Sequence, residues 1–369
     1  MKVTFVLPHA GMAGGIKVCA IYAQALRTHG HEVSIVSTPR PQPTSLKNRV
    51  KTLLKGSGWS NRQKDDPGHF DSLDFPHKVI DRYRPVVDSD CPDADVIIAT
   101  WWETAEWVAK LSPQKGAKVY FIQHDERFTN TPHHRVEKTW KLPMHRITIA
   151  QWLVDLGKHH YHVDQIDLVP NGVSLEQFNA PARGKQKTPT VGMMYSYQPF
   201  KGCDISLQAF EIAARNVAGL SMVVFGVYQP TEQLPLPKDS RFTFSPPQDK
   251  IKDFYASCDA WLFGSRSEGF GLPILESMAC RTPVIGTPTG AAPELIKPGG
   301  GVIVKPQDAI DMAKAIERVA RMTSPEWKQM SELAYATARA NTWDRNADLF
   351  EASLLRAIER KTMGAEVHV

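Results

Sequence analysis

The sequence predicts an α/β protein of two domains in series, each a parallel sheet covered by helices. Three observations carry this. The chain has 369 residues, whereas a single hydrophobic core stops growing at roughly 250–300 residues. Short apolar runs alternate with helical periodicity in both halves, and each half opens with a glycine-bearing turn between its first strand and first helix.

Residues 3–7 form the first apolar run, and Ile16, Cys19, Ala23 and Leu26 then fall on one helical face until Gly30 stops the helix. A second strand is expected at 33–36, and the alternation returns at 96–99, 119–122 and 147–149. Between 39 and 92 it lapses into a Pro-rich, charged insertion containing Gly56-Ser57-Gly58. Within it Lys47, Arg49, Lys51, Lys55, Arg62 and Lys64 interleave with Leu46, Val50, Leu53 and Leu54. That spacing suits a short basic amphipathic helix, a peripheral contact for an anionic membrane or acidic glycan, with a solvated loop as the alternative.

The polar run 183–187, between Pro181 and Pro189, reads as the interdomain linker. The expected domains are 1–170, with the insertion at about 40–92, and 171–369. A second alternation places strands at 191–194, 223–225, 242–244, 261–263 and 284–285. Helices are expected after Lys201-Gly202, near 251–256 and after Pro273. Helical patterns at 309–340 and 344–360 close the chain, the last helix expected to pack back on the first domain.

Composition excludes several classes. With 42% hydrophobic and 22% charged residues and a net charge of +5, the chain reads as soluble and globular, without a nucleic-acid partner. Its five cysteines lack C-x-x-C spacing, so neither a disulfide framework nor a thiolate zinc site is expected, and a reducing cytoplasm fits. The first apolar run is too short for a signal-peptide core, and no stretch reaches the ~18 apolar residues of a membrane span. His133-His134 and His159-His160-His162 lack a matching acidic set, so they read as helix-end histidines and no metal site is expected.

The most informative segment is Ser267-Glu268-Gly269-Phe270-Gly271-Leu272-Pro273-Ile274-Leu275-Glu276, which follows a strand and opens a helix at Pro273. Its glycines let backbone N–H groups approach a ligand, and the helix start favours phosphate. Glu268 and Glu276 can each accept hydroxyl hydrogen bonds from different parts of one ligand. Lys201-Gly202 lies at another strand-to-helix junction, as does Gly11-Met12-Ala13-Gly14-Gly15 in the first half. The latter lacks G-x-G-x-x-G spacing, and Ser37-Thr38 stand where a ribose-binding acid would follow the second strand, which argues against a dinucleotide oxidoreductase. His124 follows the strand at 119–122, and Trp101, Trp102 and Glu103 follow the strand at 96–99. All lie at the carboxyl edge, where open α/β sheets bind ligands. The tryptophans are either core or a platform for the apolar face of an acceptor sugar.

Glu268 and Glu276 around Gly269-Phe270-Gly271-Leu272-Pro273 resemble the signature of the family 4 glycosyltransferases, also called glycosyl transferases group 1. The resemblance implies a GT-B fold of two Rossmann-like domains with an interdomain cleft and C-terminal helices. It implies a retaining transfer from a nucleotide-diphosphate sugar, used as co-substrate without a further cofactor, to a glycan or lipid-linked acceptor. Glu268 with the amides of Gly269, Phe270, Gly271 and Leu272 would hold the donor sugar, Glu276 the ribose, and Lys201 with Gly14 and Gly15 the diphosphate. His124 would lie near the donor sugar and Pro246-Pro247-Gln248 near the base. The family's usual arginine, five residues before the lysine, is Ser196 here, and Arg266 is the substitute considered. A non-catalytic nucleotide-sugar or glycan-binding subunit is the alternative.

Overall fold

The computed structural model describes residues 1–40, 68–238 and 240–366. The basic segment around Lys47, Lys51 and Lys55 lies outside the described residues.

Thirteen strands are described in two sheets: β1 (Lys2–Leu7), β2 (Glu32–Ser37), β3 (His77–Val79), β4 (Val96–Ala99), β5 (Ala117–Ile122), β6 (His145–Thr148) and β7 (Ile166–Leu168), then β8 (Thr190–Met194), β9 (Ser221–Gly226), β10 (Ser240–Phe244), β11 (Ala260–Phe263), β12 (Val284–Gly286) and β13 (Gly301–Ile303). The first sheet has the order β3-β2-β1-β4-β5-β6-β7 and the second β10-β9-β8-β11-β12-β13. Pairing is parallel from β3 through β6 and throughout the second sheet. Each order is the Rossmann one, with a switch point between the strand that opens the domain and the fourth. Those switch points are β1/β4 and β8/β11. Strands β4 and β11 are buried along their whole length, as continuous apolar runs in a sheet covered on both faces must be.

The chain divides into two compact units, residues 1–148, 154–167 and 347–369 in one and 149–153 and 168–346 in the other. The last helix, Trp343–Glu366, therefore belongs mostly to the first unit. Phe350 is its apolar anchor, stacked on Tyr22 at 4.4 Å and packed edge-on against Phe121 at 5.2 Å. A polar tie lies further along it: the Ser353 hydroxyl donates to Asp167 Oδ2 (2.6 Å) and Arg356 donates to the same oxygen.

Two expectations need correction. The run 183–187 is not a linker. Arg183 donates to the Cys258 carbonyl and lies 4.5 Å over the Trp327 ring, Lys185 donates to the Ala320 and Met322 carbonyls, and the Gln186 amide donates to Asp259. Its charges cap carbonyls of the second unit, a use of polar residues that composition does not distinguish from solvation. The insertion also ends earlier than the pattern suggested, because Phe70 and Ile80 are buried and β3 pairs with β2. No described helix is long and apolar enough to cross a membrane.

Candidate functional site

At the switch point of the second sheet, the loop after β8 ends in the single turn Pro199–Lys201 and the helix Cys203–Ala214 follows at once. Gly202 between them has φ of 60°, and a Cβ there would lie 1.9 Å from the Gly264 carbonyl oxygen. Only glycine lets the loops after β8 and β11 meet this closely. The approach brings Lys201 Nζ to 2.8 Å from Glu268 Oε1, which also accepts the Ser265 hydroxyl at 2.8 Å. Behind the pair, between Ser206, Phe263 and Pro273, is a cavity of about 20 Å³, room for one water.

Glu268 opens a loop whose next two carbonyls are held. The Trp152 indole Nε1 donates to Gly269 O (2.8 Å), and the Ala291 amide donates to Phe270 O (2.8 Å). Gly290 permits the second contact: its φ is 58°, and a Cβ would sit 2.5 Å from Phe270 O. Phe270 is buried, and Gly271, with φ of 95°, caps the helix Leu272–Ala279 with Pro273 in its first turn. The first amides of that helix have no intrahelical acceptor and carry its positive end. One turn in, Glu276 accepts the Tyr255 hydroxyl at 2.8 Å. Burial first, and Glu276 second, push that phenol well above its ordinary pKa, so it stays a neutral donor that orients the carboxylate.

Arg266 is committed elsewhere: its guanidinium makes a bidentate pair with Asp204 (2.6 and 2.8 Å) and donates to Pro199 O. The pair holds the Asp204 carboxyl below its usual range. Arg266, the substitute considered for the phosphate cation, is thus engaged by Asp204 in this structure. Ser196 is buried and accepts the Gln198 amide, so its position is closed rather than an open arginine pocket. Pro246, Pro247 and Gln248 follow β10 and lead into the helix Ile251–Ala256.

The first unit's switch point differs. Gly14 and Gly15 open the helix Gly14–Thr28 directly after the β1 loop, and the Gln123 side chain holds the Gly15 carbonyl (3.1 Å). His124 follows β5, its ring 4.9 Å from that of Phe128, and Phe128 stacks on Trp101 with an interplanar angle of 11°. Trp101 is half-buried and Phe128 is 38% exposed. Trp102 is core, which corrects its place in an acceptor platform: it is 5% exposed, with Arg135 4.6 Å over its ring. It opens the helix Trp102–Val108, whose pitch turns it inward from Trp101. Glu103 accepts the Tyr83 hydroxyl. The nearby cations are paired, Arg135 with Glu106 and Arg127 with Asp125. Glu126 is buried, accepting the Trp102 amide (2.6 Å) and the Tyr120 hydroxyl (3.0 Å), and burial pushes its carboxyl up to about 8.

Among the described residues no group of three or more His, Cys, Asp or Glu side chains is placed to hold a metal ion. Sequence reasoning missed Ser265, Tyr255, Trp152 and Phe128. Each acts through a contact distant in sequence or through one hydroxyl or ring, and only Ser265, three residues before Glu268, had local signal.

Two Rossmann-ordered units, the second with a lysine, a carboxylate and a glycine-capped helix start at its switch point, define a GT-B fold. Solved structures agree: HepE of Anabaena in complex with UDP matches at a TM-score of 0.72 (16% identity, 96% of this chain and 100% of that one). Sucrose-phosphate synthase of Thermosynechococcus elongatus matches at 0.71 (16% identity, 98% and 100%). The family model of the glycosyl transferases group 1 matches residues 176–337. The D-inositol 3-phosphate glycosyltransferase of Mycobacterium avium is 32% identical over 233 residues, 56% of this chain and 54% of that protein. The chain thus spans about half the length of the curated relatives it matches.

Proposed function

We propose that the protein is a retaining glycosyltransferase that moves a sugar from a nucleotide-diphosphate sugar to a hydroxyl of a glycan or lipid-linked acceptor. The observation that carries this is the Lys201–Glu268 pair at 2.8 Å beside the helix start at Leu272. Lys201 and the helix amides are suited to the diphosphate, Glu268 to donor-sugar hydroxyls, and Glu276 to the ribose. In the first unit, the Trp101–Phe128 run is the surface suited to the apolar face of an acceptor ring.

The step is a front-side displacement. The acceptor oxygen bonds to the anomeric carbon on the face from which the diphosphate leaves, the carbon–phosphate-oxygen bond breaks, and the acceptor proton passes to the departing phosphate. Preorganised positive charge at the leaving group is the kind of electrostatic term that dominates such barriers. Lysine and helix amides supply it, so the scheme needs no metal.

The test is a panel of UDP-, GDP-, ADP- and dTDP-sugars, following nucleoside diphosphate release with and without oligosaccharide or lipid acceptors, and with a chelator. Acceptor-stimulated release of one diphosphate, insensitive to chelator, is expected. Binding without turnover would favour a non-catalytic subunit, and strict divalent dependence would sink the metal-free step.

A further inference from the structure

The loop that begins at Glu268 must present N–H groups to an anionic or hydroxylated ligand, yet its glycines make that presentation insecure. The Gly269–Phe270 peptide can flip by changing ψ at residue 269 and φ at residue 270. Gly269 has no Cβ to resist the rotation. A flip would turn a carbonyl oxygen toward the place meant for a donor oxygen and convert attraction into repulsion.

One contact opposes it, and a second fixes the peptide that follows. Phe270 O is tied within the second unit's own turn by the Ala291 amide at 2.8 Å. Gly269 O is tied by a side chain far away in sequence, the Trp152 indole at 2.8 Å. Trp152 is itself held at the start of the helix Gln151–His159, where the neighbouring Gln151 amide donates to Glu294 Oε1 at 3.2 Å. A trans peptide places C=O and N–H on opposite sides. With the Gly269 carbonyl held by the indole, the Phe270 N–H is turned the other way, and the Ala291 contact does the same for the Gly271 N–H.

Resting on the glycosyltransferase reading, we propose that Trp152 is a positioning residue: its indole N–H locks the Gly269–Phe270 peptide so that the Phe270 N–H faces the bound donor. It touches no reacting atom. It acts by keeping a donor dipole preorganised before the substrate arrives.

Trp152→Phe keeps an aromatic ring and removes the N–H. Replacing Trp152 with 3-benzothienylalanine keeps the bicyclic shape as well, and serves if the phenylalanine variant folds poorly. The probe is whichever nucleotide sugar of the panel the parent consumes, alongside its bare nucleoside diphosphate. Both variants should lose about 10- to 100-fold in kcat for the nucleotide sugar, the range between one lost hydrogen bond and one lost transition-state donor. Affinity for the bare diphosphate should stay within about twofold, since a single neutral hydrogen bond outside that contact is removed. Unchanged kcat in the benzothienyl variant overturns the proposal. So does an equal loss of diphosphate affinity and kcat, which marks a merely structural contact. A parent protein that consumes no nucleotide sugar fails the glycosyltransferase reading instead, and is distinguished by that control.

Discussion

The second unit's switch point and the first unit's strand ends after β4 and β5 are built from opposite chemistry. In the second unit the loops after β8 and β11 are pressed together by Gly202 and Gly264, and what emerges is a lysine, a carboxylate and the amide end of a helix. In the first unit the loops after β4 and β5 carry rings, Trp101, Phe128 and His124, while Arg127 and Arg135 are spent on carboxylates. One edge is suited to an anion and its hydroxyls, the other to an uncharged apolar face. Strand order fixes where a ligand meets an α/β sheet, and the loop residues decide which ligand it is.

The largest effect is expected where the second edge concentrates its charge. Lys201→Ala should lower kcat by about 100- to 1,000-fold, the cost of removing one preorganised donor to developing charge, and weaken diphosphate binding as well. Glu268→Gln should reduce turnover comparably while leaving bare diphosphate affinity nearly intact. Because the two side chains are in contact, the double variant should lose much less than the product of the single losses. Full additivity would show that the ion pair is not one functional unit, and an equal loss of diphosphate affinity in Glu268→Gln would move that residue out of the sugar site.

Under the proposed function, Glu276 separates nucleotide recognition from chemistry. Glu276→Ala should weaken nucleotide binding by about 1 to 3 kcal/mol, the value of a charged hydrogen bond, with little further change once the site is saturated. Tyr255→Phe removes the phenol that orients this carboxylate and should give a fraction of the same loss. Titration calorimetry with the bare diphosphate checks both; unchanged affinity in folded Glu276→Ala removes the residue from the ribose.

How much of this was legible in the sequence follows the same division. The strand at 96–99 was readable to the residue, and a helix near 251–256 was placed, because buried parallel strands are unbroken apolar runs and an amphipathic turn has its own period. The segment around Glu268 was readable because glycine, proline and acid there form a local pattern. The pairing of Arg266 was not readable because its partner Asp204 lies on another helix, and the choice between core and platform at Trp102 stayed open because burial separates two adjacent tryptophans that composition treats alike. The interdomain assignment of 183–187 failed for a related reason: lysine and arginine that cap distant carbonyls look the same in sequence as those facing water.

The first unit's expected effect leaves turnover untouched and is one of stability. Glu126 is buried beside the Trp102 amide and the Tyr120 hydroxyl, and desolvation raises its carboxyl from the ordinary 4.5 to about 8. Below pH 4.5 the carboxyl is protonated in both folded and unfolded chains and contributes no pH dependence. Between 4.5 and about 8 the unfolded chain has released the proton while the folded chain retains it. Stability therefore falls as pH rises through that window, by about 1.4 kcal/mol per unit at most. Above it both states are ionised and the slope vanishes. Glu126→Gln keeps an oxygen to accept the Trp102 amide and cannot titrate, so its thermal unfolding should be flatter with pH. The melting temperature of the variant should gain on that of the parent steadily from pH 5 to pH 8. Parallel curves would mean that Glu126 is ionised in the folded protein, and that the first edge carries a buried negative charge its aromatic surroundings do not otherwise suggest.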